Sequence, residues 1–430
     1  MTFRRKSTAL VLWAALLAPA QILTTPAMAT EGYFQHGYGM VSQFMGGTGA
    51  AYSQDAMSQA LNPAGLVGLD SQVNLGLSFF SPRRGFTGEG GTAPTRLVPN
   101  STVDSKSKLF LIPNAAMNYK IDSKSAFGVA FYGNGGMNTT YAAADATCSA
   151  GAPGVFCDGM SGVDLTQVFL QFTYAREIVK GVSLGVAPIL AGQLFEANGI
   201  SSFSTFSADA ANLSDNGYDT SFGVGARFGV QAKLPADIQI GAAYQLRTYM
   251  TKLDKYAGLF AGQGSFDIPP AVQACISWKP VKDVTLLFDY RRIWYSQVDA
   301  VGNKFAFPSG PGTFLGDDNG PGFGWNDANI FKVGAQWDIN KEWTVRAGYS
   351  YTDQPIDGSE VLFNILAPGV MEHHITAGVT HAISDDVKVH LGGFYAPKTK
   401  VSGANPFDPG QTIELEMYQF QVAAGVAFRF

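Results

Sequence analysis

The sequence predicts an all-β fold, a transmembrane antiparallel β-barrel of about fourteen strands with an N-terminal plug inside its lumen. Segments of roughly ten residues alternate between apolar and polar or small side chains, as strands between two different solvents do. Only 15% of the 430 residues are charged, while 13% are aromatic. The links between the segments are short and long in turn, which is typical of a bacterial outer-membrane barrel.

The N-terminus has the form of an export signal. Arg4, Arg5 and Lys6 precede an apolar run over residues 9–18, and Ala27-Met28-Ala29 follows. A run of this length is too short to span a bilayer, so we predict a secretory signal peptide over residues 1–29. The whole chain has 29 basic and 34 acidic side chains, and this balance argues against a nucleic-acid partner.

The last segment, from Tyr418 to Phe430, shows the alternation most clearly. No charged residue lies on the apolar faces of the alternating segments, whereas arginines lie on the opposite faces: Arg227, Arg247, Arg291, Arg346 and Arg429. A charged side chain that faces lipid costs about 2–4 kcal/mol at the middle of the bilayer. The separation therefore favours a lipid-facing wall over the packed sheets of a soluble β-sandwich.

The links between segments predict the orientation of the barrel. Short links include residues 122–124, 234–237 and 384–386, and we expect them to be periplasmic turns. The expected long outer loops are residues 81–109, 135–164, 193–217, 249–265, 296–326, 352–369 and 397–414. Tyrosine and tryptophan cluster at segment ends, where they would form girdles at the membrane interfaces.

Residues 30–70 differ from the barrel predicted for residues 71–430. They are rich in glycine and small residues, with a helical pattern over residues 53–61. The segment is too irregular for a strand, and a barrel of this size encloses more space than its own side chains fill. We therefore predict that residues 30–70 form a plug in the lumen. The glycines lack the spacing and the lysine of a phosphate-binding loop.

The cysteines and histidines predict no catalytic or metal site and no cofactor. Cys148 and Cys157 flank a stretch rich in glycine, alanine and proline, and we predict a disulfide, with two unpaired loop thiols as the alternative. Cys275 lies in a strand-like segment as a small buried residue. The five histidines have no recognisable serine partner and no ligand spacing.

Several motifs resemble a known family. Residues 37–66, with a Gly-Gly-x-Gly-Ala element and the hatch element Asn62, Pro63, Ala64 and Gly65, resemble the N-terminal hatch of the FadL/TodX outer-membrane transporters of hydrophobic compounds. Pro113-Asn114, Ile268-Pro269-Pro270 and residues 283–297 are also similar. The terminal Phe430 resembles the signal that the barrel assembly machinery recognises, which implies that machinery and outer-membrane lipid as partners, with a monomeric barrel.

The resemblance implies passive uptake of long-chain fatty acids or aromatic hydrocarbons. A ligand would land in an apolar groove between the third and fourth outer loops, enter a pocket that contacts the N-terminus, and leave laterally at a kink in the third strand. The candidate loop residues are Phe195, Phe203, Phe206, Tyr256, Leu259 and Phe260. The candidate pocket residues are Gly32, Tyr33 and Phe34, and the candidate kink residues are Gly133, Asn134 and Gly135.

Each assignment has a structural alternative. The loop residues could pack against one another, and the glycines could simply end a strand. Arg247 and Arg291 could bind a carboxylate or belong to structural networks in the lumen. The fifth strand has no arginine or lysine for a carboxylate, which favours a neutral substrate over a fatty acid. The alternative functions are a general diffusion porin and, with less support, a lipid-modifying enzyme.

Overall fold

The computed structural model describes residues 30–94 and 96–430, so the predicted signal peptide lies outside the described residues. Fourteen long strands form the wall. They are β1 (Gln72–Gly90), β2 (Phe110–Lys120), β3 (Ser125–Asn138), β4 (Gly162–Val179), β5 (Val182–Asn198), β6 (Asp219–Leu234), β7 (Ile238–Gln245), β8 (Ala271–Val281), β9 (Val284–Ile293), β10 (Ala328–Asp338), β11 (Trp343–Thr352), β12 (His373–Ala382), β13 (Val387–Asn405) and β14 (Asp408–Arg429).

The strands close into an antiparallel barrel. Each pairs with its neighbour in sequence, and β1 pairs with β14 from Gln72–Arg429 to Gly90–Gln411. Two short strands extend the sheet, Thr102–Asp104 beside β1 and Tyr249–Met250 beside β6. This confirms the predicted fold class. Among the described residues, no helix is both long and apolar enough to cross a membrane.

The two rims of the barrel differ as predicted, with one correction. One rim has only short turns, and the other carries the long connections. The loop predicted over residues 397–414 is wrong, because β13 and β14 continue to a two-residue turn. Ion pairs such as Lys398–Glu416 (2.7 Å) cross the exposed side of this hairpin, and the apolar residues Ile413, Leu415 and Met417, which alternate with the glutamates of β14, are buried on its other side. Similarly, β1 continues to Gly90 through part of the expected first loop.

The remaining elements are short helices in the hatch (residues 30–70) and in the long loops. The α-helical turns are Met40–Gln43, Ala261–Gly264, Asp299–Gly302 and Val361–Asn364. The 3-10 turns are Ala56–Ala60, Pro63–Gly68, Ala143–Asp145, Ser201–Phe206, Ala210–Asn212, Asp254–Tyr256, Tyr295–Gln297 and Gly358–Glu360. Residues 30–51 are buried, and they contact the inner faces of the strands, which supports the predicted plug.

The Asn-Pro-Ala element fixes the hatch to β5 and β6. The Asn62 side chain caps a 3-10 turn by accepting a hydrogen bond from Ala64 N (3.0 Å), and it donates to the carbonyls of Ala50 (2.6 Å) and Val230 (2.9 Å). Pro63 occupies the first position of the turn, where its missing N–H costs nothing. A Cβ on Gly185 would overlap the Pro63–Ala64 backbone, so glycine permits this close approach.

Candidate functional site

The third strand carries a β-bulge at the predicted kink. Gly133 pairs with Val168 and Gly135 with Gln167, which leaves Asn134 as the extra residue. The Asn134 side chain is fully buried and donates to Gln167 Oε1 (3.1 Å). Glycine and an extra residue together bend the upper part of β3, so the strand does not end at this point but continues to Asn138.

The pairing between β2 and β3 ends at the level of this bulge, and we call the boundary between the two strands the seam. The two strands pair from Lys120–Ala126 up to Asn114–Tyr132, and among the described strands β2 pairs with no residue of β3 beyond Tyr132. Pro113, the next residue of β2, has no N–H to donate. All residues from Tyr132 to Asn138 are buried, and beyond Tyr132 this part of β3 pairs with β4 alone, up to Asn138–Asp164. The seam is therefore a candidate lateral opening.

The first residues of the hatch cover this seam from inside. Gly136 N donates to the Tyr33 carbonyl (2.9 Å), and Gln35 N donates to the Asn134 carbonyl (3.2 Å). The Gln35 side chain donates to the Gly133 carbonyl (2.6 Å). The hatch thus satisfies backbone groups of the bulge that β2 leaves unpaired, and it covers the seam from inside.

The candidate pocket residue Tyr33 lies in an aromatic cluster. Its ring centroid is 5.2 Å from Phe34, 5.3 Å from Tyr295, 5.8 Å from Trp325 and 6.1 Å from Phe266. A Cβ on Gly32 would overlap the Tyr295 and Trp325 rings, which explains the glycine here. Burial raises the pKa of the Tyr33 hydroxyl well above its usual value, so the ring stays neutral.

The outer loops enclose a small apolar cavity of about 30 Å³. Three candidate loop residues, Phe203, Leu259 and Phe260, line it. The other lining residues are Val163, Ile200, Ala300, Leu315, Pro321, Gly322, Phe323, Phe363 and Leu366. None of the lining residues is charged or has a polar side chain. Since a benzene-sized ligand needs a cavity of about 150 Å³, this one must widen to admit an aromatic ring.

The other candidate loop residues lie around this cavity. Phe195 packs against Phe260 (4.7 Å between centroids) and Tyr256 (4.8 Å) below it. Phe206 lies apart, half-buried against Phe407 (5.4 Å) near the tip of the β13–β14 hairpin. The loop residues do pack against one another, and the same packing lines the cavity.

Aromatic side chains connect the loop cavity to the hatch. Phe260 packs against Phe266 (4.9 Å), and Phe266 packs against Tyr33 (6.1 Å), whose carbonyl binds the bulge of β3. Phe266, Tyr295 and Trp325 were not predicted as part of this path. The only signal in the sequence was the presence of large aromatic residues in loops of a protein with few charges. That signal does not show which loops contact one another in the structure.

A buried ionic cluster joins the hatch to the wall. The Glu31 carboxylate lies 2.8 Å from Arg291 Nη1 of β9 and 2.5 Å from Lys332 Nζ of β10. Arg291 also donates to the Gln35 carbonyl (3.0 Å), and Lys332 to the His36 carbonyl (2.5 Å). The structure thus places the candidate ligand residue Arg291 in a hatch contact, the structural alternative that the sequence left open.

His36 lies beside this cluster and stacks on His374 (5.4 Å between centroids). Burial, and then the nearby Lys332 ammonium, lower the pKa of His36 to about 3. The imidazole is therefore neutral at physiological pH. It is within hydrogen-bond distance of the Gln43 carbonyl (3.2 Å), and this contact joins two parts of the hatch.

Arg247 and the three cysteines lie away from the aromatic path. Arg247 follows the end of β7, pairs with Asp267 (2.8 Å) and lines a groove on the outer face of the barrel instead of the lumen. Cys148 and Cys157 form a disulfide in the second long loop. Cys275 is buried in β8.

The family model described as "Outer membrane protein transport protein (OMPP1/FadL/TodX)" matches residues 28–428. Among curated protein sequences, none matches this chain.

Solved structures show the same fold at low sequence identity. The toluene transporter TodX of Pseudomonas putida is 16% identical with a TM-score of 0.67, covering 93% of this chain and 100% of TodX. The toluene transporter TbuX of Ralstonia pickettii is 19% identical with a TM-score of 0.64, covering 92% and 99%. A FadL homologue of Pseudomonas aeruginosa is 12% identical with a TM-score of 0.67, covering 93% and 100%.

Proposed function

The chain belongs to the outer-membrane transport family OMPP1/FadL/TodX, and on this premise we propose that it takes up small neutral hydrophobic molecules, aromatic hydrocarbons above all. The molecule is captured in the apolar cavity of the outer loops. It passes along the aromatic side chains to Tyr33 and leaves laterally through the seam between β2 and β3. Uptake is passive.

The observation that carries this proposal is the unbroken aromatic contact from Phe260 through Phe266 to Tyr33. A lipophilic molecule gains about 25 cal/mol for each Å² of apolar surface removed from water. An apolar path keeps that surface covered, whereas a water-filled pore would expose it again. The lateral seam adds an exit into lipid, where the molecule never meets water.

The neutral substrate class follows from the lining of the path. No charged residue lines the loop cavity, and the Arg291 guanidinium at the inner end of the path is already paired with Glu31. A carboxylate entering this path would lose its hydration without a cation to replace it. Two of the structurally similar proteins are toluene transporters, which agrees with this choice.

A long-chain fatty acid is the second candidate, because one buried cation of the lumen has only neutral partners. Arg227 donates to Gln171, Gln245 and Tyr132 (2.5–3.1 Å), and to the Ala60 carbonyl. Among the described residues, no carboxylate lies within ion-pair distance of this guanidinium. A substrate carboxylate that reached the space beside Arg227 would be the missing counter-charge.

Uptake of labelled toluene by cells that have no other channel for it tests the capture step. We expect the Phe203→Ala, Phe260→Ala double variant to lower the initial uptake rate several-fold, because its cavity loses two aromatic walls. Phe307→Ala is the matched control, since Phe307 is an exposed loop phenylalanine outside the path. Insertion of the variant barrel is checked by its heat-modifiable electrophoretic mobility. Normal uptake by an inserted double variant would refute the path. Oleate uptake measured in parallel separates the two substrate candidates.

Bulky residues at the bulge test the exit. A Cβ on Gly135 would overlap the Tyr33 carbonyl, so Gly133→Leu with Gly135→Leu crowds the contact between the bulge and the hatch, where the exit is proposed. We expect slower toluene uptake with normal insertion. Gly68→Leu is the control, because open space surrounds Gly68. Unchanged uptake in the bulge variant would exclude lateral exit while leaving the capture step intact.

A further inference from the structure

A groove of about 530 Å³ lies on the outer face of the barrel, outside the path described above. It forms where β7 ends at Gln245 and the chain leaves the regular sheet. Gly225 and Pro270, which have no long side chain, are among the residues that line it. Its other lining residues are Val224, Tyr244, Leu246, Arg247, Tyr249 and Gln297.

The groove lies at the outer rim of the lipid-facing wall. Tyr244 faces outward and packs against Trp294 (6.0 Å between centroids), which follows the last residue of β9 at the rim with the long loops. Tyrosine and tryptophan in this position mark the boundary between hydrocarbon and headgroups. The rim with the long loops faces the cell exterior. The groove therefore adjoins the outer leaflet.

The groove combines apolar walls with cationic groups at one end. Arg247 donates through Nε to Asp267 (2.8 Å) and through Nη1 to the Gln297 carbonyl (2.7 Å). A guanidinium has five N–H donors, so further donors of Arg247 are available to a ligand. None of the residues that line the groove is acidic.

A second outward-facing arginine lies beside the same aromatic pair. Arg292, near the end of β9, places its guanidinium carbon 5.8 Å from the Trp294 ring centroid. It pairs with Asp327 through Nη2 (3.0 Å), while its Nε is buried without a hydrogen-bond partner. Arg247 thus lies in the groove itself, and Arg292 lies beside Trp294, whose ring packs against the lining residue Tyr244.

We propose that this groove binds lipopolysaccharide, the phosphorylated glycolipid of the outer leaflet. An acyl chain of its lipid A part lies against Val224, Tyr244 and Leu246. A lipid A phosphate accepts hydrogen bonds from Arg247 and Arg292, because the planar guanidinium suits a phosphate. The lipid anchors the wall beside the fourth loop, whose Phe260 lines the capture cavity.

Native mass spectrometry of the detergent-solubilised full barrel, titrated with lipid A, tests this site. We expect Arg247→Gln with Arg292→Gln to weaken lipid A binding about tenfold. Arg176→Gln is the matched control, because Arg176 is an exposed arginine at the periplasmic end of β4. Wild-type protein should bind dephosphorylated lipid A, and phosphatidylglycerol, at least tenfold more weakly than lipid A.

A second variant guards against misfolding of the double mutant. Val224→Glu adds a carboxylate to the exposed wall of the groove and replaces neither arginine, and the insertion of its barrel is checked by heat-modifiable electrophoretic mobility. We expect the same loss of lipid A binding. Equal binding by wild type, Val224→Glu and the double variant would overturn the proposal. A loss in Arg176→Gln as large as in the double variant would overturn it as well, since binding would then follow overall charge.

Discussion

The two faces of the barrel wall are stabilised in different ways. On the outer face, Ile276 of β8 lies between Ile240 and Phe288, and all three side chains are more than 40% exposed. On the inner face, the Glu31 carboxylate of the hatch is fully buried between Arg291 and Lys332. The apolar outer face is stable in any apolar solvent, without specific partners. The inner face requires specific ion pairs and hydrogen bonds with the hatch.

This difference separates the stability of the barrel from the position of the hatch. A substitution on the outer face changes how well the wall suits lipid, whatever the hatch does. A substitution in the ionic cluster changes how firmly residues 30–70 dock, and leaves the strand pairing intact. We therefore expect that the hatch can undock while the barrel stays folded.

The largest effect is expected from Glu31→Gln. Breaking a buried ion pair by removing one partner costs about 3–5 kcal/mol, and here it leaves Arg291 and Lys332 without their shared carboxylate. We expect the hatch to undock, with faster hydrogen exchange over residues 30–70 and larger conductance in planar bilayers, while the strands keep their protection.

The matched control for Glu31→Gln is Glu416→Gln. Glu416 pairs with Lys398 at 2.7 Å, but on the exposed hairpin of β13 and β14. Exposed ion pairs contribute about 0–1 kcal/mol, so we expect no change in the hatch. Equal exchange rates in wild type and Glu31→Gln would show that the cluster does not hold the hatch.

The next effect concerns the outer face. Ile276→Arg places a charge in the middle of the lipid-facing wall, and we expect a loss of about 2–4 kcal/mol in the free energy of unfolding from liposomes. Val281→Arg, at the periplasmic end of the same strand, should cost about 0–1 kcal/mol because the side chain reaches the interface. Equal losses at both positions would argue that this face does not contact lipid.

The same difference between the faces explains what the sequence could predict. Every strand that alternates against lipid was predicted, because a side-chain period of two is a local signal. The alternation continues above the membrane in β14, where the buried residues Ile413, Leu415 and Met417 alternate with two glutamates. This signal was overlooked, and the β13–β14 hairpin was taken for a loop because Pro406, Pro409 and Gly410 are typical of loops. The end of β7 was also predicted wrongly. The alternation predicted that Arg247 faces the lumen, whereas β7 ends at Gln245 and Arg247 lines an outer groove.

The contacts of the hatch could be predicted only in outline. The resemblance indicated Tyr33 and the bulge at Asn134 as neighbours of the path, and the structure places them together. Glu31 and Lys332 are distant in sequence, and a single sequence has no local pattern that pairs two such charges. For the same reason Phe266 and Trp325 were not assigned to the path, although each is visibly an aromatic residue in a loop.

A smaller effect is expected from acidification. Burial and Lys332 lower the pKa of His36 from 6.5 to about 3, so the docked hatch holds the neutral imidazole. An undocked hatch exposes His36 to water, where it takes up a proton below pH 6.5. Docking should therefore weaken between pH 6.5 and 3, by about 1.4 kcal/mol for each pH unit, and be unaffected above pH 7.

Conductance at pH 7 and pH 5 measures this pH dependence, because the free energy of hatch docking should change by about 2 kcal/mol between these two values. We expect more frequent open events at pH 5 in the wild type. His36→Asn should reduce the difference, because it has no proton to gain, whereas His373→Asn should preserve it. A pH response that survives in His36→Asn would assign it to another group.

The smallest effect is expected where the hatch meets β5 and β6. Asn62→Ala removes a helix cap and two hydrogen bonds to backbone carbonyls, and we expect a loss of about 1–2 kcal/mol in hatch docking. Asn216→Ala is the control: its side chain also donates to two carbonyls, but in an exposed loop. Hydrogen exchange over residues 50–68 should rise in Asn62→Ala alone. If both variants behave as wild type, the ionic cluster holds the hatch without the Asn-Pro-Ala element.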